Sequence, residues 1–231
     1  MLSHGTTGFA AYATSHVEAT EVALNEASTA GVRALIGQVL MDVHAPSSLI
    51  CDTNLLIEQS ARLLESWSPA NAVCGDGCRV STIISPRFAL CSSMDLMTDA
   101  AALAKNSNAF IQTHLAEMRT ECEQVVKMYE VEDYLTVYER AGILGEHTLL
   151  GHGVWLSDDE VARLSAYRSV ITHCPLANSF LSSGTMNRER LRDVGVRLYL
   201  GSESGAGYER SRVRVARAMI EAGFKAGSRA P

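Results

Sequence analysis

A chain of 231 residues with 47% hydrophobic and 20% charged residues, 17 glycines and only 5 prolines has the makeup of a globular protein. That composition excludes a disordered chain, a collagen-like one and a small disulfide scaffold. Twenty basic against 26 acidic residues leave a net charge of −6, so the basic footprint of a duplex-binding protein is missing and no nucleic-acid partner is expected, although a free base or nucleoside is compatible.

In chain order, short apolar or β-branched runs alternate with longer amphipathic stretches. Strands are expected at residues 6–14, 32–41, 81–88, 109–115, 148–154, 169–174 and 196–201. Helices are expected at 18–30, 54–67 and 93–105, as a pair within 121–141, and at 157–167, 188–194 and 209–224. Ser157 with Glu160 three residues on is a capping box opening one of them. Gly31, Gly142 and Gly195 each close a helical run ahead of an apolar one. The stretch 69–79 is the most loop-like and reads as an insertion. Such alternation implies parallel strands with crossover helices. Without a G-x-G-x-x-G or a Walker lysine, it favours a TIM-like (β/α) barrel, taken as one domain over residues 1–231, over an open nucleotide-binding sheet. The Gly201-Ser202-Glu203-Ser204-Gly205-Ala206-Gly207 run could cradle a phosphate, but Glu203 would repel it.

The six cysteines, Cys51, Cys74, Cys78, Cys91, Cys122 and Cys174, are scattered. Only Cys74 and Cys78 lie close, without the second close pair that a zinc ribbon needs. They read as reduced thiols of a cytoplasmic protein. The first residues carry no basic leader region and no apolar run approaches ~18 residues, so no membrane contact is expected.

In a parallel barrel the chemistry gathers where strands end on the C-terminal face. Polar residues there are His114 and Glu117 after the fourth expected strand, His152 between glycines after the fifth, His173 after the sixth and Glu203 after the seventh. Pro86-Arg87-Phe88 closes the third. His173, followed by Cys174-Pro175, reads as a supporting residue, and Arg210, Arg212, Arg214 and Arg217 read as a solvated helix face.

These strand ends carry motifs that resemble the guanine deaminase branch of the amidohydrolase superfamily. They are His114-Leu115-Ala116-Glu117, Tyr134-Leu-x-Val-Tyr138, Gly151-His152-Gly153 and Leu156-Ser157. Further along come His173-Cys174-Pro175, Asn178-x-x-Leu181-x-Ser-Gly184 and Gly201-x-x-x-Gly205-x-Gly207, with Pro86-Arg87-Phe88 the part most particular to guanine. The resemblance implies a barrel of the metal-dependent hydrolase type and zinc-dependent hydrolysis of guanine to xanthine and ammonia, in purine catabolism. It implies His114 and Glu203 as metal ligands, with Glu203 standing where the family has aspartate. It further implies Glu117 as the proton shuttle and His152 as the group orienting water and the attacked carbon. Arg87 and Phe88 are implied as the pair that recognises the purine, alongside His114 and Glu117.

No His-x-His occurs in the chain, whereas the family carries that pair on its first strand. The expectation is therefore a barrel lacking that strand, a homo-oligomer such as a dimer covering the open edges, and weakly held zinc with little turnover by the isolated chain. The alternative is a catalytically impaired paralogue that at most binds purines or pairs with a partner.

Overall fold

The computed structural model describes residues 1–67 and 79–227, so the loop expected at 69–79, with Cys74 and Cys78, lies outside the described residues except for Arg79. The described residues fall into two compact units.

One unit takes in residues 7–112 and Arg140–Ile143. Its elements run β1 (Gly8–Tyr12), α1 (Val17–Thr29), β2 (Arg33–Gly37), β3 (Val39–Leu40), α2 (Thr53–Trp67), β4 (Val80–Thr82), β5 (Ser85–Pro86) and α3 (Met94–Asn106). The chain leaves this unit within β6 (Ile111–Leu115). The strands pair in parallel, β1 with β2, β2 with β4 and β3 with β5. Spacing dictates what each helix buries: Thr20, Leu24 and Ala27 form one stripe of α1, the i, i+4, i+7 pattern of a core-facing helix. Leu24, Ala27, Ala34, Ile36, Leu63 and Val80 make the core cluster, with Phe9, Val17 and Trp67 packed on it. Asp52 accepts hydrogen bonds from the backbone N–H groups of Asn54 and Leu55 at the start of α2. Ser93 does the same for Leu96 in α3.

Two expected strands are broken where they were read as continuous. Gln38 separates β2 from β3, and its Nε2 donates to Ser15 O at 3.0 Å and to Gln59 Oε1 at 2.7 Å. Beside it, a Cβ on Gly37 would fall 1.9 Å from Ser85 Oγ, so this close approach requires glycine. Ile83 and Ile84 part β4 from β5, and Ile84 instead bridges to Ile111. Local kinks of this kind carry no apolar-pattern signal.

The other unit takes in residues 1–6, 113–139 and the chain from Leu144 onward. It holds the end of β6, then α4 (Arg119–Tyr129), α5 (Tyr134–Arg140, whose last residue falls in the other unit), β7 (Thr148–His152), α6 (Asp158–Tyr167), β8 (Val170–His173), α7 (Pro175–Phe180), α8 (Arg188–Asp193), β9 (Arg197–Leu200) and α9 (Arg212–Lys225). Its sheet runs β6-β7-β8-β9 in chain order, with parallel register at Leu150↔Ile171 and Thr172↔Tyr199. Leu115, Val125, Leu135, Tyr138, Leu150, Leu164 and Ile171 are buried.

The capping box at Ser157 is present: Ser157 Oγ accepts from Glu160 N, and Glu160 Oε2 accepts from Ser157 N at 2.7 Å. Glu160 is itself buried, and its Oε1 accepts from Leu135 N in the first turn of α5 at 3.1 Å. Arg163 ion-pairs with Asp133, Glu139 and Asp159. Two elements escaped the sequence pattern, the 3-10 turn Leu2–His4 and α7. Each is too short to show a helical period.

Candidate active site

Three strand ends bring the titratable residues together. His114 is the penultimate residue of β6, where Tyr138 Oη donates to its carbonyl at 2.6 Å. Glu117 follows within one short turn. Its backbone N–H and that of Met118 both donate to Glu121 Oε2 at 3.1 Å, which fixes the turn at the start of α4. His152 ends β7 and is 1% exposed. Glu203 lies in the loop after β9, where the N–H groups of Ala206 and Gly207 donate to its carbonyl.

The backbone is left-handed at Ala116 (φ 48°), His152 (φ 69°) and Glu203 (φ 46°). Non-glycine residues adopt that region at a cost of about 1–3 kcal/mol, and they keep it where their surroundings over-determine it. Here the next residue helps: Gly153 N donates to Leu115 O at 2.8 Å, and Val154 N and Trp155 N both donate to Ala116 O.

The side chains meet at short range. His152 Nε2 lies 3.4 Å from Glu203 Oε2 and 3.6 Å from Glu117 Oε2, while His114 Nε2 lies 3.9 Å from Glu203 Oε1. The two imidazoles stack with centroids 5.3 Å apart. Burial pushes the Glu203 carboxyl above its usual range and the Glu117 charge adds to this, against the pull of His152. Burial also raises Glu121. It lowers His173, helped by His152 and Arg188, to about 4, so that ring is neutral at ordinary pH. The buried Cys174 thiol is raised strongly by burial and then by Glu203 and Glu117, which makes it inert rather than nucleophilic.

Two residues of α7 and the turn after it grip this cluster. Asn178 Oδ1 lies 2.7 Å from His152 Nδ1. Ser183 Oγ donates to Glu117 Oε1 at 2.9 Å. Ser183 is held in turn by Trp155, whose Nε1 donates to its carbonyl at 2.6 Å. Gly184 has φ 130°, and a Cβ there would come within 2.9 Å of the Trp155 ring, so the turn closes on the indole only with glycine. Sequence reasoning noticed the Asn178-to-Gly184 run without giving it a role. The separation of Asn178 from His152, 26 residues, hides the contact.

His114, His152 and Glu203 present ligand atoms all within 4.8 Å of one another. Glu203 Oε2 is buried yet makes no hydrogen bond among the described residues. An orphaned carboxylate oxygen between two imidazoles is costly unless a cation fills the gap. Two histidines and a carboxylate are also a donor set of catalytic zinc sites. The residues therefore fit a metal ion.

Arg87 and Phe88 belong to the other unit, directly after β5, where Arg87 N donates to Leu40 O. Arg87 is exposed and its guanidinium lies 5.2 Å from the centroid of the half-buried Phe88 ring. Its Nη1 is 3.7 Å from Met41 Sδ.

Parallel strands whose C-terminal ends gather histidines and carboxylates are the arrangement of the TIM-like α/β class, and the chain belongs to the amidohydrolase family, whose model matches residues 1–227. Within that family it is similar to guanine deaminases. It is 35% identical over 226 residues to the guanine deaminase of Dictyostelium discoideum, which covers 96% of this chain and 48% of that protein. The solved E. coli guanine deaminase superposes with a TM-score of 0.90 at 30% identity, covering 98% of this chain and 52% of the other. The guanine deaminase of C. acetobutylicum, solved with guanine in its active site, gives 0.92 at 26% identity, covering 100% and 55%. The chain thus spans about half the length of the curated relatives it matches. Family membership implies a bound metal ion. Among the described residues no helix is long and apolar enough to cross a membrane.

Proposed function

We propose that this chain carries the chemistry of a zinc-dependent guanine deaminase, converting guanine and water to xanthine and ammonia. The observation that carries this reading is the meeting of His114, His152, Glu117 and Glu203 within 4 Å contacts at three strand ends, joined to the similarity to guanine deaminases. His114 and Glu203 would hold the metal, with His152 beside them. When bound, zinc supplies acidified water, its pKa lowered from 15.7 to about 7.

The rest falls to the chain's own groups. Glu117, one oxygen tied by Ser183 and the other facing His152, takes the proton from the attacking water and passes it to the purine. His152 Nε2 orients that water toward the carbon bearing the amino group. The new C–O bond forms there; as the C–N bond breaks, Glu117 carries the hydroxyl's proton to the amine, which leaves as ammonia, and the hydroxyl becomes the carbonyl of xanthine. The resemblance to guanine deaminases assigns Arg87 and Phe88 to purine recognition, a guanidinium suited to donate to a carbonyl and a ring suited to offer an apolar wall.

The alternative of a catalytically impaired, purine-binding paralogue draws less support, because a binding protein has no use for an orphaned carboxylate between two imidazoles. A reducing, cytoplasmic setting agrees with the free thiols of Cys51, Cys91, Cys122 and Cys174. A homo-oligomer, most simply a dimer, is the assembly we assign, to be read by light scattering. The test of function is xanthine and ammonia release from guanine by zinc-loaded protein, with Glu117→Gln reducing turnover at least ~10²-fold. Zinc-loaded protein that fails to bind guanine by calorimetry would remove guanine as the substrate.

A further inference from the structure

We propose that Trp155 is a positioning residue: it brackets the turn that carries Glu117 to the turn that carries Ser183, and so fixes where the Ser183 hydroxyl meets the Glu117 carboxylate. This deepens the reading of the site given above and rests on it for its catalytic meaning.

Trp155 is bonded at both ends. Its backbone N–H donates at 3.1 Å to the carbonyl of Ala116, the residue before Glu117, and Val154 N donates to the same oxygen at 3.0 Å. Its indole Nε1 donates to Ser183 O at 2.6 Å. Ser183 in turn gives its hydroxyl to Glu117 Oε1 at 2.9 Å. Ala116, Glu117, Ser183 and Trp155 thus close a ring of contacts through three separate stretches of chain. Trp155 is 37% exposed, so filling the interior does not account for so large a side chain at this place.

The turn that Trp155 holds needs an outside partner. Ser182 has φ 57° and Gly184 φ 130°, so left-handed backbone flanks Ser183 on both sides. A serine keeps that region where its surroundings over-determine it. Ser183 N donates to Asn178 O at 2.8 Å, which ties the turn back to α7, and the indole secures the far side at the Ser183 carbonyl. The ring lies against Gly184, and the Arg119 guanidinium, from the start of α4, sits over it at 4.5 Å from the centroid, a cation–π contact that holds the ring in place. Without the indole bond, the peptide after Ser183 can turn about its glycine, and the hydroxyl loses its fixed aim at Glu117.

The experiment is a double-variant cycle on metal-free protein at one pH. Wild type, Trp155→Phe, Ser183→Ala and the double variant are compared by the carbon-13 shift of the Glu117 carboxyl carbon. Trp155→Phe keeps an aromatic ring and removes the donor. Both single variants should displace the Glu117 signal in the same direction, with no further displacement in the double, because Trp155 acts on Glu117 through Ser183. The Ser183 amide should exchange with deuterium about five- to tenfold faster in Trp155→Phe than in wild type. An unmoved Glu117 signal in folded Trp155→Phe overturns the proposal, as do displacements that simply add in the double variant, the mark of a merely structural residue. Should Trp155→Phe not fold, Gly184→Ala pushes the turn off the ring and carries the same expectations. In turnover of guanine, kcat should fall about tenfold in Trp155→Phe with KM little changed; an unmoved kcat overturns the proposal too. The spectra need neither metal nor guanine. The expected signals, together with zinc-loaded protein that fails to bind guanine by calorimetry, would therefore sink the guanine reading and leave the role of Trp155 standing.

Discussion

Lowering the pH should destabilise this protein through His173 in a defined window. The ring is 3% exposed, its Nδ1 has no hydrogen-bond partner among the described residues, and its pKa in the folded chain is about 4. In the unfolded chain the same group titrates near about 6.5. Above that value both states hold the neutral ring, and its contribution is intact. Between the two values the unfolded chain binds a proton that the folded chain refuses, so stability falls as pH falls, by up to about 1.36 kcal/mol per pH unit. The window is about two and a half pH units wide, which sets a ceiling of about 3 kcal/mol. Urea unfolding followed by circular dichroism, in chelator, at about pH 7.5 and about pH 4.5, would be compared for the wild type and His173→Gln. The wild type should lose about 2–3 kcal/mol more than the variant. Parallel losses in the two proteins would show that His173 is charged in the fold and that the reasoning from its burial is wrong.

Other outcomes follow from the same contacts. Ser183→Ala removes the donor to Glu117 Oε1, and steady-state kinetics should show kcat about tenfold lower with KM little changed, the effect of losing one charge-assisted bond of about 1.5 kcal/mol. Glu203→Gln should weaken zinc binding at least about tenfold by calorimetry; unchanged affinity would place the metal elsewhere. Leu135→Ala empties a fully buried position and should cost about 2–5 kcal/mol in denaturant unfolding. Ser157→Ala removes half of a capping box, for a loss of about 1 kcal/mol in the same assay.

The parallel α/β character was legible because period and punctuation agreed. The seven expected strands all have counterparts, and Ser157 caps the helix it was read to cap. What failed was interruption. Gln38 looks like any strand residue until Ser15 and Gln59 are beside it, and the six residues of α7 are too few to announce a period. The gathering of His114, Glu117, His152 and Glu203 was legible, since each stands at or just after a strand end. Their supports were not. Asn178 and Ser183 reach His152 and Glu117 from 26 and 66 residues away, and only folding brings such distant polar atoms within bonding distance. The left-handed backbone at His152 and Glu203 is likewise silent in sequence, where no glycine marks it.

Glu160 gives one further consequence, on the timescale of local opening. Its two carboxylate oxygens tie the amides of Leu135 and Ser157, one at the start of α5 and one at the start of α6. Neither helix can fray at its first turn without releasing the group that holds the other. The two segments are thereby made into one cooperative unit whose amides must exchange with solvent deuterium together, through a shared opening, rather than as separate fraying ends. A single buried carboxylate thus couples the breathing of two helices that their sequence, 22 residues apart at these amides, would leave independent.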